Sequence, residues 1–167
     1  MLSLKTRSTY HTLLDAAVLR EGGSDSPAII YVSTEAEPIH VSRQLFRESA
    51  LHYATVLKHL GIGQGDLVII AHTQNLESIY AFWGAMMLGA IPSMFPTLTE
   101  KLDPEIYMRD MGELVARSAG KVILTTDAFA HMLSERVGCP VYGSQQLLTQ
   151  ETISDAKFKL EIGRAHV

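Results

Sequence analysis

Residues 57–99 read LKHLGIGQGDLVIIAHTQNLESIYAFWGAMMLGAIPSMFPTLT, and the order of elements in this stretch decides the fold. A helix is expected to end at Leu60, with Gly61 as its stop, because glycine takes the left-handed conformation that closes helices. After the turn GIGQGD comes LVIIA (67–71), an apolar run without polar alternation, which is how a strand covered on both faces reads. Asn75 is placed to cap the next helix, and Glu77 lies in its first turn, where the helix dipole favours a carboxylate. That helix, spanning 76–90, is apolar nearly all round. It is therefore expected to sit between layers, with Phe82, Trp83, Met86 and Met87 in the core. Ile91 to Phe95 reads as a second short buried strand.

The pattern extends in both directions. Upstream, Leu13, Leu14, Ala17 and Val18 recur at helical spacing between Tyr10 and Arg20, and Gly22-Gly23 would end that helix. A β-rich run ending at Val32 and the segment Ile39–Val41 flank a polar turn at 35–37, as in a hairpin. Ser42 can cap a helix to Leu60 whose apolar face is Leu45, Phe46, Ala50, Tyr53, Val56, Leu57 and Leu60. Downstream, Asp103-Pro104-Glu105 supplies a cap, an N1 proline and a first-turn acid. The helix it starts turns Ile106, Tyr107, Met111, Leu114 and Val115 inward and ends near Gly120. KVILT (121–125) is a third strand, Asp127 caps a short helix to Val137, and Pro140-Val141-Tyr142 is one more strand. Strands alternating with helices predict an α/β fold, a largely parallel sheet layered with helices.

Composition narrows the function classes. The chain has 167 residues, 47% hydrophobic and 19% charged, with a net charge of -4, as expected of a globular domain. No basic patch points to nucleic acid or a membrane surface. The one cysteine, Cys139, excludes an internal disulfide framework and a multi-thiolate zinc site within one copy of the chain. Neither a signal peptide nor a membrane span is expected. The N-terminus lacks an unbroken apolar core, and the apolar stretch 79–95 is interrupted by Gly84, Gly89, Pro92 and Ser93. The expected compartment is the cytoplasm.

Each motif that could carry chemistry has a structural reading that fits better. GIGQGD (61–66) follows a helix and opens a strand, the reverse of the dinucleotide fingerprint, which follows a strand and opens a helix. A helix stop and turn, with Asp66 bonding local amides, is expected instead. The seven histidines form no zinc pattern; His52 and His59 share a helix without a third ligand. His72 stands apart, because it follows a buried strand at the carboxyl edge where open α/β sheets bind ligands. A strand-end hydrogen bond is its expected role. Ser144 lies in no GxSxG elbow, and Cys139 has no activating neighbour in sequence. No catalytic, cofactor-binding or metal-binding residue is assigned.

The stretch 57–99 resembles the N-terminal region of the AMP-forming acyl-CoA synthetases and fatty-acyl-AMP ligases. The matching positions are Leu60, Gly61, Gly65-Asp66, Asn75, Phe82, Gly84, Gly89-Ala90, Pro92 and Pro96, and VILTTD (122–127) looks like the family's next strand. The resemblance runs from about Tyr10 to Tyr142. It implies part of the N-terminal subdomain of the adenylate-forming fold. It also implies a parent enzyme that uses ATP and Mg2+ to turn a carboxylic acid into an acyl-adenylate. The acyl group would then pass to coenzyme A or to the phosphopantetheine of an acyl carrier protein. The run AFWGAMMLGAIPSMFPTL (81–98) leans toward the fatty-acyl-AMP ligases. The family's phosphate loop ending in Pro-Lys-Gly, its adenylate segment, its ribose-binding Asp and its C-terminal Lys have no counterpart in these 167 residues. Taken alone, the polypeptide is therefore expected to be inactive, with no cofactor of its own.

The tail KFKLEIGRAHV departs from the family pattern. Residues 162–167 can be encoded ATC GGA AGA GCA CAC GTC, which matches a widely used sequencing adapter. The expected organisation is thus a partial AMP-binding domain over 1–160 and an artefactual tail over 161–167; other codons in the gene would remove that expectation. Two other classes compete. An NAD(P)-binding oxidoreductase domain is opposed by the order of the glycine turn, and a non-catalytic interaction module would require a natural end near Leu160.

Overall fold

The computed structural model describes residues 11–18, 27–34, 36–73, 75–96, 98 and 102–149, which fall into two units, one up to Arg47 and one from Glu48 onward. In the first, helix α1 (Leu13–Ala17) opens with a capping box. Thr12 Oγ1 accepts from Asp15 N at 3.1 Å, and the Asp15 carboxylate accepts from Thr12 N at 3.0 Å. The stop expected at Gly22-Gly23 lies outside the described residues. Strands β1 (Pro27–Tyr31) and β2 (Ile39–Ser42) pair antiparallel, as the hairpin reading required. Helix α2 (Arg43–His59) starts where Ser42 Oγ accepts from Leu45 N at 3.1 Å. Leu45 itself, expected to face inward, is 49% exposed.

The second unit is the parallel sheet. Its strands are β3 (Leu67–Ala71), β4 (Ile91–Met94), β5 (Val122–Thr125) and β6 (Val141–Gly143), in the order β4-β3-β5-β6 with every neighbour parallel. Helices α3 (Leu76–Met87), α4 (Pro104–Ser118), α5 (Asp127–Ser134) and the short α6 (Ser144–Thr149) follow successive strands. Central strands β3 and β5 are buried through Val68–Ala71 and Val122–Thr125. Side chains alternate across a strand. Ile69, Ala71 and Ile123 accordingly pack on one face with Tyr107, Met108, Met111 and Val115 of α4 and Leu133 of α5. Val68, Ile70, Val122 and Leu124 turn to the other face and are equally buried.

Three turns set the geometry. At the end of α2, Gly61 N donates to Lys58 O and Ile62 N to Leu57 O, at 2.9 and 3.0 Å, a Schellman closure with Gly61 at φ +81°. Asp66 then accepts from Gly63 N at 2.9 Å, so the GIGQGD turn is locally bonded as expected. Where α3 crosses α2, Gly84 has no room for a side chain. A Cβ there would lie 2.6 Å from Tyr53 Cβ and 2.8 Å from the Ala50 carbonyl oxygen.

Several expectations are corrected. Strand β4 is not buried: Ile91 is 54% and Met94 52% exposed, because β4 is the sheet edge with one neighbour. Ile91 N and Phe95 N donate toward β3, to Asp66 O and Ile70 O. Alternation thus puts Pro92, which has no N–H, on the open side and blunts that edge. Helix α3 ends at Met87 rather than Ala90; Met87 is buried, whereas Phe82, Trp83 and Met86 are half-buried, not core. On α4 the inward face is rotated. Met108 is buried and Ile106 is 49% exposed. That helix closes on Ala119 in the left-handed conformation, φ +54°, one residue before the glycine expected to do it. Helix α5 ends at Ser134 rather than Val137, and its N-cap is Thr126, which makes no side-chain capping bond.

Candidate functional site

In a sheet ordered β4-β3-β5-β6, the chain leaves β3 toward β4 and then returns past β3 to β5, so the loops after β3 and β5 diverge. Such a switch point, at the carboxyl ends of the strands, is where open α/β sheets bind ligands. His72 and Thr73 follow β3 there, Thr126 and Asp127 follow β5, and Ser144 follows β6.

These residues are tied to one another. Thr125 Oγ1 donates to Ala71 O at 2.6 Å, linking the last residues of β5 and β3. Ser144 Oγ donates to Thr125 O at 3.2 Å and is hydrogen-bonded to His72 Nε2. Either ring nitrogen of a histidine can carry the proton, so the direction of this bond is set by the tautomer. The other ring nitrogen, Nδ1, faces Thr73 Oγ1 at 3.4 Å. Burial pushes the His72 pKa down, against the opposing pull of the Thr73 backbone and the Glu77 and Asp127 carboxylates, which favours the neutral imidazole. The pair clasps the end of β3 to the start of α6.

Asp127 belongs to the same clasp. Expected to cap α5, its carboxylate instead accepts from Gln145 N and Gln146 N, both at 3.1 Å, and so holds the start of α6. Gly143 makes this possible, since a Cβ on it would lie 2.6 Å from Asp127 Cα. Nothing in the local sequence around Asp127 distinguishes a cap for its own helix from one for a helix 17 residues on.

Beside this edge, α2 and α3 form an open cleft of about 220 Å³ lined by Glu48, Ser49, His52, Tyr53, Glu77 and Tyr80. Tyr53 Oη donates to Glu77 Oε2 at 2.6 Å. Burial first, and then the Glu77 carboxylate, push the Tyr53 phenol pKa far up, with Ser144 acting in the opposite sense, so it remains a donor. Sequence placed Tyr53 on an apolar face and Glu77 at a helix start; neither position signalled that the two would meet. On the other face, Tyr107 Oη donates to Pro96 O at 2.6 Å, and burial pushes its pKa up to about 12. Phe95, Tyr107 and Phe129 form a line of rings 5.9 and 5.5 Å apart.

The remaining candidates stay apart. His59 is exposed and His52 only partly buried on α2; among the described residues no group of three or more His, Cys, Asp or Glu could hold a metal ion. Cys139 is partly buried and packs against the α4–α5 core, and burial pushes its thiol pKa up, away from a reactive thiolate. The glycine turn lies at the amino end of β3, opposite the N-terminus of α3, so it offers no helix end to a pyrophosphate. No helix among the described residues is long and apolar enough to cross a membrane.

Comparison with known proteins accords with this architecture. A family profile described as AMP-binding enzyme matches residues 15–161. The acetyl-coenzyme A synthetase of Nitrosomonas europaea is 37% identical over 71 residues, which take in 42% of this chain and 11% of that protein. Among solved structures, McyG A-PCP complexed with phenylalanyl-adenylate superposes with a TM-score of 0.68 at 20% identity, covering 89% of this chain and 28% of that one. The fatty acyl-adenylate ligase from L. pneumophila, in complex with acyl adenylate and pyrophosphate, gives 0.63 at 17% identity, covering 75% and 21%. The chain thus spans well under a third of the length of each of these proteins. It belongs to the AMP-binding enzyme family.

Proposed function

We propose that this member of the AMP-binding enzyme family is the scaffold portion of an acyl-activating ligase, with residues 1–160 supplying the N-terminal part of its adenylate-forming domain. The supporting observation is the family match over 15–161 on a parallel sheet whose carboxyl edge is closed by its own hydrogen bonds. The whole protein would use ATP and Mg2+ to activate a carboxylic acid and hand the acyl group to a thiol, either coenzyme A or the phosphopantetheine of a carrier protein. A fatty acid is the proposed substrate, on the similarity of residues 81–98 to fatty-acyl-AMP ligases. Acetate belongs in the same assay, because curated relatives include acetyl-coenzyme A synthetases. The proposed compartment is the cytoplasm.

The proposal for the chain by itself starts from the described residues. They contain no phosphate-cradling loop at a helix N-terminus and no set of metal ligands. The 167-residue chain is accordingly proposed to be inactive alone. The test of the parent activity is the polypeptide from the complete reading frame, assayed for ATP–pyrophosphate exchange with acids from acetate to palmitate. Exchange that depends on one of these acids is expected; no exchange with any of them would overturn the proposal.

A further inference from the structure

We draw no further inference here: the strongest candidate, the open cleft between α2 and α3 lined by Glu48, Ser49, His52, Tyr53, Glu77 and Tyr80, carries nothing, because every buried polar side-chain atom among the described residues already has a partner and nothing in the structure shows what would occupy an acidic lining.

Discussion

His72 is 8% exposed, and its ring joins the end of β3 to the start of α6 through Ser144. Its folded-state pKa lies below the ordinary 6.5 because of burial, so the unfolded chain binds a proton more readily than the folded one. The sign follows: the histidine's contribution is intact above about pH 6.5 and is lost as pH falls toward the lowered value. Urea midpoints measured from pH 7.5 to 5 are expected to decline, and His72→Gln is expected to flatten that decline. An unchanged slope in the variant would show that another group is responsible. His72→Gln should also cost about 1–3 kcal/mol at pH 7.5, since Ser144 is left with a poorer buried partner. The position of His72 at a strand end was readable in the sequence, because a polar residue directly after VIIA has to leave the sheet. Its partner was not, since Ser144 lies 72 residues away and contact at that distance is fixed only by the order of the strands.

Among the elements, the helices and strands with strong end signals were the ones sequence placed well. Ser42, Asn75 and Asp103 each cap the helix expected of them, because a capping bond is made within three residues and needs no tertiary partner. Faces were placed less well. Leu45, Ile106, Ile91 and Met94 read as inward by hydrophobicity, yet which apolar residues are covered depends on how many neighbours an element has. Two substitutions test the packing. Gly84→Ala recovers about 1 kcal/mol of helix propensity, but the new methyl meets backbone atoms of Ala50 and Ala54 that cannot yield, an overpacking cost of about 1–3 kcal/mol. A net loss in thermal stability is expected; a gain would mean that α3 does not approach α2 this closely. Ala119→Gly should act in the opposite direction. It relieves a left-handed alanine at the end of α4 and is expected to gain up to about 1 kcal/mol, read as a higher urea midpoint. A loss would contradict the left-handed cap.

At the scale of the whole molecule, the α/β class and the parallel sheet followed from the alternation of elements, and the family from glycines and prolines at fixed places. The closed carboxyl edge did not, because Tyr53–Glu77, His72–Ser144 and Asp127–Gln145 are all pairs brought together by topology. Among the described residues, every buried polar side-chain atom has a partner. Removing a single preorganised transition-state donor costs an enzyme roughly 10²–10³ in rate, and the proposed inactivity of the 167-residue chain rests on the sequence reading that it holds no counterpart of the family's catalytic groups. The most direct measurement is carboxylate-dependent ATP–pyrophosphate exchange by the purified 167-residue chain, across acids from acetate to palmitate. No exchange above the carboxylate-free blank is expected; exchange that rises with any acid would contradict the account.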